Sequence, residues 1–270
     1  MIRDITLGQY YQEDSVIHRL DPRVKLVVTI LYLISLFIVK SAVGYAIAAL
    51  FLGICIALSK VPFKYMIKGM KAILFLLIIT VIFNLFLTPG EVLWQFGRVH
   101  ITREGLDIAI KMAIRLSLLI IGSSLMTLTT TPNNLTDGME KLLGPLKKLH
   151  VPVHEISMMM SIALRFIPIL LEETDIIMKA QMARCADFES GNLVKRAKSL
   201  VPLLVPLFIS AFRRAGDLAM AMEARCYRGG DGRTKMKPLK YKGRDRAAYL
   251  IALVYLVICF VFRSGIPFLA

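Results

Sequence analysis

Five long apolar runs, separated by charged stretches, organise the chain: residues 24–39, 42–58, 72–88, 106–128 and 247–262. Each is rich in Leu, Ile, Val and Phe and lacks the strict alternation of a barrel strand, so each predicts a helix. Most are about 16–17 residues long, at the short end of what spans a hydrocarbon core about 30 Å thick. Flanking lysines can then reach the interface along their apolar stems. The pattern predicts an all-α fold: a polytopic helical membrane protein of about five transmembrane helices plus an inserted region of amphipathic helices.

That insertion covers residues 129–246 and carries apolar segments of its own. Thr131-Pro132-Asn133 reads as a helix start, and the short amphipathic piece that follows ends near Leu143 and Gly144-Pro145. Residues 153–171 are mostly apolar but are interrupted by Glu155, Arg165 and Pro168; residues 200–212 hold Pro202 and Pro206. Neither is a clean span. Each apolar piece runs into a charged amphipathic stretch, as a helix does when it leaves the interface for water. Three parts are therefore expected: residues 1–128, 129–246 and 247–270.

Charge then gives orientation. The chain has 34 Lys+Arg against 19 Asp+Glu, a formal charge of +15, in a sequence that is 56% hydrophobic. A disordered chain is far less apolar, and a soluble one would expose too much apolar surface. Arg3, Arg19, Arg23 and Lys25 lie near the N-terminus, and Lys60, Lys64, Lys68 and Lys71 lie between the second and third runs. The other side has only Lys40, Arg98, Arg103 and Arg263, whereas residues 129–246 carry twenty basic residues. The positive-inside rule puts the N-terminus and the insertion in the cytoplasm of a multi-pass plasma-membrane protein. Residues 1–22 are charged without an apolar core, so no cleavable signal peptide is expected. Lys195, Arg196, Lys198 and the stretch from Arg233 to Arg246 can hold anionic lipid as a secondary role.

Inside the fourth run, Asp107, Lys111 and Arg115 are spaced i, i+4, i+8 on one helical face. Charges in a span are a substrate-path candidate. They also fit an Asp107–Lys111 pair at a helix end with the basic heads reaching the interface.

One six-residue frame occurs twice. Ala180-Gln181-Met182-Ala183-Arg184-Cys185 returns as Ala221-Met222-Glu223-Ala224-Arg225-Cys226, offset by 41 residues. Apolar residues at three-to-four spacing precede both copies, and Gly191 and Gly229-Gly230 are the expected helix terminators. An arginine near a helix end complements the helix dipole for about 0.3–1 kcal/mol. That does not account for the same frame twice. Two equivalent helix ends, each offering a planar five-donor group beside a small Ala, suggest docking to two equivalent partner surfaces, such as the subunits of a dimer.

No G-x-x-x-x-G-K-[ST] is present, so the chain carries no P-loop for ATP. Pro152 stands between His150 and His154 and no cysteine lies near them, so no metal site is expected. The four cysteines, Cys55, Cys185, Cys226 and Cys259, are isolated, which argues against a disulfide scaffold. No catalytic constellation and no cofactor site is found, and no nucleic-acid partner is expected. A membrane enzyme would need convergent acid, base or metal groups. The alternative function, a stand-alone secondary transporter or channel, would need repeats among the spans and polar groups at mid-membrane.

The chain resembles the transmembrane T component of energy-coupling factor (ECF) transporters, the CbiQ-like subunits of ABC-type vitamin and metal-ion importers. Ser15-Val16-Ile17-His18-Arg19-Leu20-Asp21-Pro22-Arg23-Val24-Lys25-Leu26 is similar to that family's N-terminal signature. Ala163-Leu164-Arg165-Phe166-Ile167-Pro168 is similar to the segment leading into its first long coupling helix. The two Ala-Arg-Cys triplets resemble its paired Ala-Arg-Gly signatures, with cysteine in the third place of both. The resemblance implies a non-catalytic scaffold joining two ABC-type ATPase subunits to a small integral-membrane substrate-binding S component. It places Ala183, Arg184, Cys185, Ala224, Arg225 and Cys226 at the ATPase docking sites. Cysteine is still small, so close packing against a partner is expected to survive. Met158, Met159 and Met160, with Arg165, are the candidate S-component contact; a methionine run also suits ordinary core packing.

Overall fold

A computed structural model of the chain describes residues 10–66, 73–89, 91–96, 99–186, 188, 192, 194, 198–230, 236 and 238–262. Of the residues named above, Arg3, Lys68, Lys71, Ala72, Arg98, Gly191, Lys195, Arg196, Arg233 and Arg263 lie outside those described. All five apolar runs form helices: α1 (Pro22–Ile38), α2 (Ala42–Ser59), α3 (Leu74–Leu87), α4 (Arg103–Thr129) and, last in the chain, α8 (Gly243–Val261). Between α4 and α8 come α5 (Pro132–Leu143), a 3-10 segment (Gly144–Leu149), α6 (Val153–Ala183) and α7 (Val201–Ala224).

Contacts divide the chain into two compact units, one of Gly8–Leu142 with Leu239–Ala270, the other of Leu143–Pro238. In the first, α1, α2, α4 and α8 pack around Tyr32, Leu36, Ala48, Leu52, Leu125 and Tyr255. The Phe51 and Tyr255 rings stack with centroids 4.3 Å apart, and the Ser35 and Tyr255 hydroxyls lie 2.7 Å apart. Gly122 makes this packing possible, because a Cβ there would stand 2.6 Å from the Tyr32 ring. The opposite faces stay uncovered: Leu50 and Leu250 are 67% and 65% exposed. Apolar residues on both sides of a helix, one side bare, are what a bilayer requires.

A two-stranded hairpin interrupts the otherwise helical order. Strand β1 (Val92–Phe96) pairs antiparallel with β2 (Val99–Thr102), Trp94 opposite Ile101. The all-α class holds, with this hairpin as an addition to it; the short run of Val, Trp, Phe and Ile is β-prone but too brief to stand out beside five spans. The hairpin joins α3 to α4, and Thr102 seals the junction by donating its hydroxyl to the Thr88 carbonyl (2.9 Å) and accepting from the Gly105 N–H (3.1 Å).

The charged face of α4 splits. Lys111 pairs with Asp107 at 2.5 Å, as expected, but Arg115 turns inward. Its Nε and a terminal nitrogen both donate to the Tyr45 hydroxyl on α2, at 2.9 and 2.6 Å. A polar partner within reach competes with the interface for a guanidinium, so Arg115 links two spans.

The second unit holds α6 and α7. Pro168 and Pro206 sit inside them without ending either helix, although each leaves one carbonyl without its usual donor. By length and composition, α2, α4 and α6 are each apolar enough to cross a membrane. For α6 this corrects the expectation that its apolar part is no clean span: the helix is continuous over 31 residues, about 46 Å.

Candidate functional site

Both copies of the repeated frame end a helix in the same way. The last helical residue of α6 is Ala183, Arg184 follows it, and Cys185 takes the left-handed conformation with φ +65°. The Cys185 N–H donates to the Met182 carbonyl (3.0 Å) and the Ala186 N–H to the Gln181 carbonyl (3.0 Å). At the end of α7, Cys226 has φ +56°, its N–H donates to Glu223 (2.8 Å), and the Tyr227 N–H donates to Met222 (3.1 Å). Each is a Schellman cap, in which a left-handed residue lets two N–H groups turn back onto orphan carbonyls.

This corrects the expected role of the glycines and the reasoning about size. Cys185 and Cys226 terminate the helices, not Gly191 or Gly229-Gly230. The third place of the triplet favours glycine for its backbone conformation, since a Cβ disfavours positive φ. Gly230 has another use: a Cβ on it would come 2.4 Å from the His154 ring, so it lets the chain pass close to the start of α6.

The caps present all six triplet residues, Ala183, Arg184, Cys185, Ala224, Arg225 and Cys226, to the outside. Among the described residues the side chains of Arg184 and Arg225 make no ion pair or hydrogen bond, although each backbone N–H turns back onto its helix. Two contacts set the helices against each other. Arg214 on α7 donates to Glu173 on α6 at 2.8 Å, and the Gln181 amide donates to the Pro202 carbonyl at 3.3 Å. Moving forward along α6 thus means moving back along α7. The helices pass in opposite senses, and the two arginine-bearing ends point apart, up to about 33 Å along the pair.

The four remaining candidate positions lie on α6 itself. Met159 and Met160 are exposed, Met158 is half-buried and Arg165 is exposed. Met159 precedes Arg184 by 25 positions, so the methionines and the cap stand about 37 Å apart on one rod.

A second polar assembly was not recognised as such in the sequence. In the N-terminal signature, Asp21 caps α1, accepting from the Arg23 N–H (2.9 Å) and from its guanidinium (3.0 and 2.7 Å). The Asp21 N–H in turn donates to the Asp245 carboxylate at 2.9 Å, across 224 residues, and Asp245 also accepts from the Lys242 N–H at 2.7 Å. Lys25 donates to the His18 carbonyl (3.1 Å) and the Thr129 carbonyl (2.8 Å). His18 bridges the Ser15 hydroxyl (2.7 Å) and the Tyr11 carbonyl (3.1 Å). Burial and the nearby Lys25 charge hold the His18 imidazole below its ordinary pKa. For Asp21, burial raises the pKa, but the hydrogen bonds and charge of Arg23 outweigh it and leave the carboxyl low. Lys25 and Asp245 are both buried. The assembly ties the start of α1 to the end of α4 and the start of α8. The acidic third residue of α8 was its one visible signal in the sequence.

Comparison with known proteins places these features. Residues 13–236 match the family model CbiQ, described as cobalt transport protein. The chain is 58% identical over 267 residues to an energy-coupling factor transporter transmembrane protein from Clostridium kluyveri, covering 97% of this chain and 98% of that one. It is 51% identical to the protein of the same description from Acidaminococcus fermentans (99% and 100% covered). To that from Bacillus subtilis it is 46% identical (98% and 100%).

Proposed function

The chain belongs to the CbiQ family as a transmembrane (T) component of an energy-coupling factor transporter, and we propose that it is the non-catalytic scaffold that couples ATP hydrolysis in two partner ATPases to uptake by a membrane S component. The observation that carries this reading is the matched pair of helix ends. Arg184 and Arg225 occupy equivalent places in two like caps that face apart. Two equal sites facing apart suit the two subunits of a dimer, each receiving one guanidinium in a groove. Closure of that dimer on ATP would draw the two ends together and change the crossing of α6 and α7. The apolar lengths of the same helices, with Met158, Met159, Met160 and Arg165 on α6, would carry that movement to the S component, and adaptable methionines suit more than one such partner. The cargo is a vitamin or a metal ion held by the S component. The N-terminus faces the cytoplasm of the plasma membrane, in line with the basic loops.

The test is affinity purification of the full chain from its own membranes in mild detergent, followed by mass spectrometry. Two P-loop ATPases and at least one small membrane protein are expected to come with it. The double variant Arg184→Glu, Arg225→Glu is expected to insert normally yet lose the ATPases and ATP-driven uptake. Normal uptake by that variant would sink the docking assignment.

A further inference from the structure

A cleft of about 550 Å³ opens in the Gly8–Leu142/Leu239–Ala270 unit, lined by Asp14, Ser15, Val16, Arg19, Ala57, Leu58, Lys60 and Arg244. It lies where three apolar helices reach one end of their bundle: ahead of α1, at the close of α2, and in the first turn of α8. The lining is divided by chemistry. Val16 and Leu58 are 58% and 50% exposed, an apolar surface beside the charged groups.

The charges do not cancel. Both carboxylate oxygens of Asp14 are held by the Arg19 guanidinium, so that pair is neutral within itself. Asp245, the carboxylate beside Arg244 in sequence, is turned to the Asp21 and Lys242 N–H groups. Asp14 also feels the charge of Lys60, but this one carboxylate faces Arg19, Lys60 and Arg244, so the lining keeps an excess of two positive charges. The Arg244 Nε is shut off from solvent and has no hydrogen-bond partner there. Arg244 lines the cleft, and it is the other guanidinium donors that can meet an anion there. Arg244 also sits at the positive N-terminal end of the α8 dipole, which favours an anion.

We propose that this cleft binds the phosphodiester headgroup of an anionic phospholipid, Lys60 and Arg244 meeting the phosphate while Val16 and Leu58 lie against the first part of the acyl-glycerol. The apolar lining sets a lipid above a free phosphate, which would gain nothing from it. The proposal rests on α1, α2 and α8 lying in a bilayer and is independent of the ATPase docking reading.

The test uses the full chain without partners, so a failure of docking does not affect it. Its melting temperature is measured in nanodiscs of phosphatidylcholine with and without phosphatidylglycerol. Phosphatidylglycerol is expected to raise it by about 5 °C. Lys60→Gln, which keeps the aliphatic stem, should remove about half of that rise, and Lys60→Gln with Arg244→Gln most of it. Lys148→Gln, an exposed cation elsewhere, should leave the rise intact. If Arg244→Gln lowers stability in phosphatidylcholine alone, the Lys60→Gln result decides. An undiminished rise in Lys60→Gln overturns the proposal, as does an equal loss in Lys148→Gln. An equal rise from inorganic phosphate in phosphatidylcholine discs would assign the cleft to a soluble anion instead.

Discussion

Arg214 donates to Glu173 at 2.8 Å across the two helices, and the two residues are 41 positions apart, the same offset that separates Arg184 from Arg225. Each member of the pair stands eleven residues ahead of the arginine that ends its own helix. The contact thus joins equivalent positions of the two copies, as residues on a local two-fold axis would be joined. The crossing point is equidistant from the two caps, and a symmetric partner can meet both ends at once.

Exchanging the charges tests this relationship. Glu173→Arg puts two cations at the crossing, and about 0.5–1 kcal/mol of stability should be lost, the modest figure reflecting a partly solvated pair. Arg214→Glu should cost a similar amount. The double exchange should recover most of the loss in a double-mutant cycle followed by thermal unfolding. Additive losses would show that the pair contributes no coupling.

Single substitutions at the caps separate charge from geometry. Arg184→Ala or Arg225→Ala should each weaken ATPase binding by about 2–5 kcal/mol if the guanidinium enters a desolvated groove. Lysine at either place should recover only part of it, because the planar fork is lost. Binding of the purified ATPase pair, titrated against the chain in detergent, reads the difference. Full recovery with lysine would reduce the contact to simple charge.

The left-handed cysteines give a prediction opposite in sign to ordinary expectation. Cys185→Gly and Cys226→Gly each remove a Cβ from a positive-φ position and should stabilise the cap, by up to about 1 kcal/mol. Cys185→Val should destabilise it, since a branched Cβ fits there worst. Thermal unfolding of the three variants checks the order, and a Val variant as stable as wild type would refute the conformational account.

Asp245 is the buried carboxylate that receives two backbone N–H groups from different parts of the chain. Asp245→Ala leaves both donors unmet and should cost about 2–4 kcal/mol. Asp245→Asn, retaining one acceptor oxygen, should cost less. Hydrogen exchange at the Asp21 amide, normally protected, should rise sharply in the alanine variant.

The His18 contact should depend on pH. Its folded pKa is below the ordinary 6.5, through burial first and the Lys25 charge second. The folded chain therefore binds fewer protons than the unfolded one in this range, so stability rises with pH. The contribution is complete above about 6.5 and is lost as the pH falls from there through the folded value. The protection factor of the Tyr11 amide, which donates to the Leu128 carbonyl, should fall between pH 7.5 and 5.5 in wild type but not in His18→Gln.

Five apolar runs, the basic loops, the Thr131 helix start and the doubled Ala-Arg-Cys frame were legible in the chain because each is a local property. Transfer of a side chain into hydrocarbon, the 3.6-residue period and loop charge depend on a residue and its near neighbours. The arginine-bearing ends were therefore found as residues before their geometry was known. Tertiary structure alone decided that Arg115 joins Tyr45, that Glu173 meets Arg214, and that Asp245 holds the Asp21 N–H from 224 positions away. A hydrogen bond needs its partner within about 3 Å, and which distant groups come that close is set by how whole helices pack. The cysteine conformation belongs to the same class: the residue types permit several helix ends, and the observed hydrogen bonds select one.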